Sequence, residues 1–161
     1  MILFLDFDGV LHPDPCVDAK RLFEHAGRVA EAVAPFPELG VVLSTAWRTV
    51  RDECELLAVL PAPLRDRVIG ATPRFDRNMT APARTPYPRH AEIEQWLAMH
   101  EMAGAPWWAL DDRADLFAPY CENLLLCDGS VGFDAEMAQR LRSTLTLARA
   151  RAARNVDLLL A

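Results

Sequence analysis

Short, unbroken apolar runs recur along the chain, separated by stretches with helical spacing. Residues 2–7 form the first run, which ends in acids; it suits a strand buried on both faces rather than an exposed hairpin. Similar runs follow at 40–44 (GVVLS), 68–71 (VIGA), 107–110 (WWAL) and 124–127 (LLLC). Between the first three lie helical patterns. One covers 19–34, with Leu22, Phe23, Ala26, Val29, Ala30 and Val33 on its apolar side, and another covers 50–60. A third helix is predicted over 89–102, carried by Ile93, Trp96, Leu97 and His100 and stopped by Gly104 and Pro106. A last one starts after Phe133, capped by Asp134, and extends toward Leu160 with a break near Asn155.

Strands that alternate with helices predict an α/β fold, a three-layer Rossmann-like parallel sheet of about five strands with helices on both faces. In such sheets ligands bind at the carboxyl ends of the strands, so chemistry is expected just after each apolar run. The chain of 161 residues fits one domain, 1–161, with a hydrophobic core. The opening MILFLDFD has no basic region and no small-residue cleavage site, and nothing in the chain approaches the length of a membrane span. Cys16, Cys54, Cys121 and Cys127 lie far apart without a CxxC pair, the pattern of reduced thiols in a cytoplasmic protein.

A net charge of −6 argues against general coating of nucleic acid, which depends on Lys and Arg neutralising phosphates. The charge is uneven. Between 72 and 89 four arginines, Arg74, Arg77, Arg84 and Arg89, face one acid, Asp76. That excess can meet an anionic substrate or belong to a solvated loop. The arginines of the last helix, Arg140, Arg142, Arg149, Arg151 and Arg154, are expected on a solvated face, and Trp107 and Trp108 in the core.

Carboxylates collect at two strand ends. Asp6 and Asp8 leave the first strand two positions apart, on one side unless the backbone turns, and Gly9 permits that turn. Asp111 and Asp112 follow the fourth run, with Asp115 three residues on as a cap, a surface group or a supporting acid. If the first and fourth strands are neighbours, at least three carboxylates converge where they cannot all stay ionised without a cation. Magnesium, a hard oxygen-binding ion, resolves that conflict. Ser44, Thr45 and Ala46 after the second strand offer a hydroxyl and backbone amides for a phosphoryl oxygen, and Arg89 supplies positive charge. Arg48 can fork onto a phosphate, pair with an acid of the site or lie on the surface with Trp47 packed beside it. His12 can touch substrate or organise its loop.

These residues resemble the haloacid dehalogenase superfamily of phosphatases. LFLDFDGV is similar to its first motif, D-x-D-G after an apolar strand; VVLST to its second; Arg89 to the lone base of its third; and ALDD to the acid pair of its fourth. The resemblance spans 2–116. It implies that Asp6 is the nucleophile that becomes a phosphoaspartate, and that Asp8 protonates the leaving group and then activates water. Thr45, with Ser44 as the alternative, would bind phosphate together with Arg89. Magnesium would take the side chains of Asp6 and Asp112, the backbone carbonyl of Asp8 and help from Asp111. LDFDGVLHP, LSTAWR, RHAEIEQWL and LDD most resemble a group of such domains associated with RNA-repair proteins.

Neither the interval 10–40 nor 47–88 has room for a cap domain, so an open site is expected. An open site favours a phosphate on something large, first a nucleic-acid end, then a nucleotide or phosphoprotein. The rival class is a binding module that keeps the fold without turnover.

Overall fold

A computed structural model describes residues 1–73 and 86–159. Five strands, β1 (Ile2–Leu5), β2 (Gly40–Leu43), β3 (Val68–Ala71), β4 (Trp107–Asp111) and β5 (Leu124–Leu126), form one parallel sheet. Its order is β3-β2-β1-β4-β5. Five helices accompany it among the described residues: α1 (Ala26–Val33), α2 (Glu53–Ala58), α3 (Ala62–Arg65), α4 (Pro88–Met99) and α5 (Ala135–Leu159).

Alternation along the central strands explains the layers. Leu3, Leu5, Val41 and Leu43 pack on one face with Val29 and Val33 of α1, Leu56 of α2, Leu64 of α3 and Leu141 of α5. Ile2, Phe4, Val42 and Ala109 face the other way, onto Ile93, Trp96 and Leu97 of α4 and onto Phe117. Because β1 and β2 are covered on both sides, every residue they contribute must be apolar, which is why they read as continuous runs. Trp107 and Trp108 pack against these two clusters, as expected for the core.

The chain moves outward from β1 to β2 and β3, then returns to the other side of β1 for β4 and β5. The strand order therefore reverses between β1 and β4, and a crevice opens at their carboxyl ends. No cap domain covers it among the described residues, and no helix there is long and apolar enough to cross a membrane.

Several boundaries differ from those predicted. The helix expected over 19–34 is split: a 3-10 turn covers Ala19–Arg21, capped by Asp18, and α1 begins only at Ala26. Between them Phe23 adopts φ +61, and its ring packs against Phe7, His12 and Trp47. The periodicity missed this because a helical Phe23 would keep the same spacing while losing those contacts. The helix expected over 50–60 starts at Glu53, where Asp52 and Glu55 form a reciprocal capping box, and yields to α3 after Pro61. The helix α4 ends at Met99, and Glu101 turns at φ +57 before Gly104 is reached. At the last helix Asp134 Oδ1 accepts the Met137 amide at 2.8 Å, and α5 runs through Asn155 without a break. Arg74, Arg77 and Arg84 lie outside the described residues, whereas Arg140, Arg142, Arg149, Arg151 and Arg154 are exposed.

Candidate active site

The parallel register brings the motifs together. Leu5 pairs with Leu43 on one side and Leu110 on the other, so the next residues, Asp6, Ser44 and Asp111, stand level across three adjacent strands. The ladder continues through them: the Asp6 amide donates to Leu110 O at 3.1 Å and the Ser44 amide to Leu5 O at 2.8 Å. By alternation all three belong to the α4 face of the sheet, where Arg89 occupies the first turn of α4. The helix dipole disfavours a cation there, so the acids must hold Arg89 in place.

They do so directly. Arg89 Nη1 lies 3.1 Å from Asp6 Oδ2 and 3.2 Å from Asp111 Oδ2, with all three side chains buried. The Phe7 amide donates to Asp6 Oδ1 at 2.7 Å. Burial raises the carboxyl of Asp6 above its ordinary range, and Arg89 works against that rise. Asp111 is pushed up to about 7, first by burial and then by the charge of Asp6. Burial also raises half-buried Asp112. Oxygens of Asp6, Asp111 and Asp112 lie within 4.8 Å of one another. One guanidinium answers two of three carboxylates, and the remaining negative charge is what a divalent cation would balance.

Two glycines flank Asp112. Gly9 turns the chain at φ +66, and a Cβ there would lie 2.3 Å from the Asp112 carboxyl carbon. A Cβ on Gly129 would lie 2.4 Å from Asp112 Oδ2. Gly9 belongs to the D-x-D-G motif; Gly129 was not singled out from the sequence, where a glycine between Asp128 and Ser130 reads only as a turn.

Asp8 occupies a different environment. Trp47 Nε1 donates to its Oδ1 at 2.9 Å and its Oδ2 at 2.8 Å, and His12 Nε2 lies 3.1 Å from Oδ1. The His12 hydrogen bond, followed by that of Trp47, holds this carboxyl below its ordinary value although burial opposes them. His12 therefore touches an acid of the site from within the core.

The two candidate hydroxyls differ. The Thr45 hydroxyl helps to lower the Asp6 carboxyl, and its Oγ1 accepts the Trp47 amide at 3.3 Å, capping the 3-10 turn Ala46–Thr49. Ser44 Oγ is buried and has no hydrogen-bond partner among the described residues. Arg48, weighed for the phosphate, is buried and donates to Thr45 O, to Thr72 O at 3.0 Å and to Pro73 O at 3.4 Å. It also pairs with Glu92. Its fork thus ties the ends of β2 and β3 to α4. Glu92 was missed, although it stands three positions after Arg89 on one helix face. Asp115 is exposed and its carboxylate is bonded by the Arg113 side chain at 2.9 and 2.8 Å, a surface pair, while the Arg113 backbone amide donates to Asp111 Oδ1 at 2.9 Å.

The model of the family described as the HAD domain in Swiss Army Knife RNA repair proteins matches residues 2–138. The chain belongs to this family. The match runs from β1 into the first turn of α5 and so includes every residue of the HAD site described above. No curated protein and no solved structure matches the chain. Membership makes the chain a HAD-type hydrolase domain and agrees with the parallel α/β sheet.

Proposed function

We propose that the chain, as one domain over 1–161, is a magnesium-dependent phosphohydrolase that acts through a phosphoaspartate on Asp6. The observation that carries this reading is Asp6 at the β1/β4 crevice, paired with Arg89 and crowded by Asp111 and Asp112. A nucleophilic carboxylate there is oriented by the Phe7 amide on one oxygen and by Arg89 on the other. Asp6 attacks phosphorus and the bond to the leaving oxygen breaks as Asp8 gives that oxygen a proton. Asp8 then takes a proton from water, whose oxygen attacks phosphorus and frees the Asp6 carboxylate.

The all-oxygen donor set suits magnesium, held by the side chains of Asp6 and Asp112, the backbone carbonyl of Asp8 and Asp111 nearby. When bound, magnesium would offset the charge of the phosphate facing these acids. Thr45 and Ser44 would contact phosphoryl oxygens, with Arg89 adding charge. Arg48 would hold their loop from behind.

The favoured substrate is a nucleic-acid end phosphate. An uncapped crevice among the described residues and the family's description as an RNA-repair domain support it. The test is phosphate release, with magnesium, from phosphorylated oligonucleotide ends, nucleotides, phosphopeptides and sugar phosphates. Turnover fastest on oligonucleotide ends and absent in Asp6→Asn supports the reading. Turnover fastest on nucleotides or phosphopeptides replaces the substrate, and none on any of them favours a binding module.

A further inference from the structure

The carboxylate of Asp8 is held by two residues outside the acid motifs. The indole N–H of Trp47 spans both oxygens, while His12 reaches Oδ1 alone. The other nitrogen of His12 decides the direction of that second bond. The backbone amide of Phe23 points at His12 Nδ1 at 3.4 Å, and an amide can only donate. Nδ1 is therefore the acceptor, Nε2 carries the N–H, and His12 donates to Asp8.

The backbone that delivers this amide is strained. Phe23 at φ +61 occupies a region that a bulky side chain rarely adopts and that persists only where its surroundings enforce it. The surroundings are the same group of rings: Phe23 lies 5.5 Å from Phe7, 5.1 Å from His12 and 5.3 Å from Trp47, each edge-on. Strain and packing thus converge on the two side chains that hold Asp8.

We propose that Trp47 and His12 are positioning residues for Asp8, fixing Oδ1 from two sides and leaving Oδ2, bonded by Trp47 alone among the described residues, to exchange the proton. This rests on the phosphohydrolase reading and adds which residues aim its acid and base, and which oxygen does the work. The second step needs that oxygen aimed at the attacking water, whereas a good leaving group needs no proton in the first. Without the two donors the first step on a good leaving group proceeds and the second slows.

The test uses nitrophenyl phosphate and magnesium with Trp47→Phe and His12→Leu, each followed from the first turnover. Both should release a burst of nitrophenolate close to one per site, then turn over about tenfold more slowly than wild type, in line with losing one hydrogen bond to a charged group. His12→Gln, which keeps an N–H at similar reach, should recover much of the steady rate. A loss that falls equally on burst and steady rate, or no rescue by Gln, overturns the proposal while wild-type turnover leaves the parent reading standing. A wild type without turnover overturns both. Independently of activity, the Trp47 indole N–H proton resonance should move upfield in Asp8→Asn; an unmoved resonance overturns the assignment even where the Trp47 variant does not fold.

Discussion

Gly129 stands against Asp112 so closely that a Cβ on it would lie 2.4 Å from the carboxylate oxygen. The loop after β5 therefore forms one wall of the acid cluster, and any larger residue must displace Asp112. Gly129→Ala should leave the secondary structure intact, because the clash falls on one side chain. It should raise the magnesium concentration for half-maximal activity about tenfold, the scale on which groups supporting a ligand act. Magnesium titration of phosphate release checks this, and an unchanged midpoint would show that Asp112 does not take part in holding the ion.

Asp6→Asn keeps the shape of the buried side chain and removes the nucleophile. The variant should fold, judged by circular dichroism, and lose at least about a thousandfold in kcat, as expected when a covalent nucleophile is removed. Chelation of the wild type should abolish turnover, and added magnesium should restore it. Activity in Asp6→Asn near the wild-type level would place the nucleophile elsewhere.

The acid cluster should also make the metal-free protein less stable as pH rises. Asp111 goes from an ordinary value of 3.8 to about 7 on folding, through burial and then the charge of Asp6. Between those values the folded state holds a proton that the unfolded chain has released, so stability is lost as pH climbs through that window. The metal-free Tm should be higher near about pH 5 than near about pH 7.5, and Asp111→Asn should narrow the gap. Magnesium, binding the ionised cluster, should raise Tm more at the higher pH. Calorimetry with and without the ion measures both effects.

Arg48 and Glu92 predict an asymmetry. Arg48→Ala removes the donors to three backbone carbonyls and leaves a mostly buried Glu92 without its cation, which should destabilise by about 3–5 kcal/mol. Glu92→Gln keeps the shape and leaves Arg48 its carbonyl partners, so the loss should be smaller. Urea unfolding of both variants reads the difference, and equal losses would mean that the carbonyl contacts contribute little.

The sequence by itself determined the layers and the place of the chemistry. Unbroken apolar runs at 2–7, 40–44 and 107–110 suit strands covered on both faces, and parallel strands bring their carboxyl ends to one edge. Asp6, Asp8, Asp111 and Asp112 were legible for that reason, once the runs they follow became neighbours. Only the tertiary structure decided what each acid touches. Trp47 on Asp8, Gly129 on Asp112 and Glu92 on Arg48 are contacts between distant segments, and their residue types suit a surface, a turn or a helix face equally well. The left-handed turn at Phe23 was hidden too, because local spacing continues a helix through 19–34 unless something outside it holds the ring. Periodicity records which side of an element is buried, and it carries no information on which loop from elsewhere in the chain closes against it.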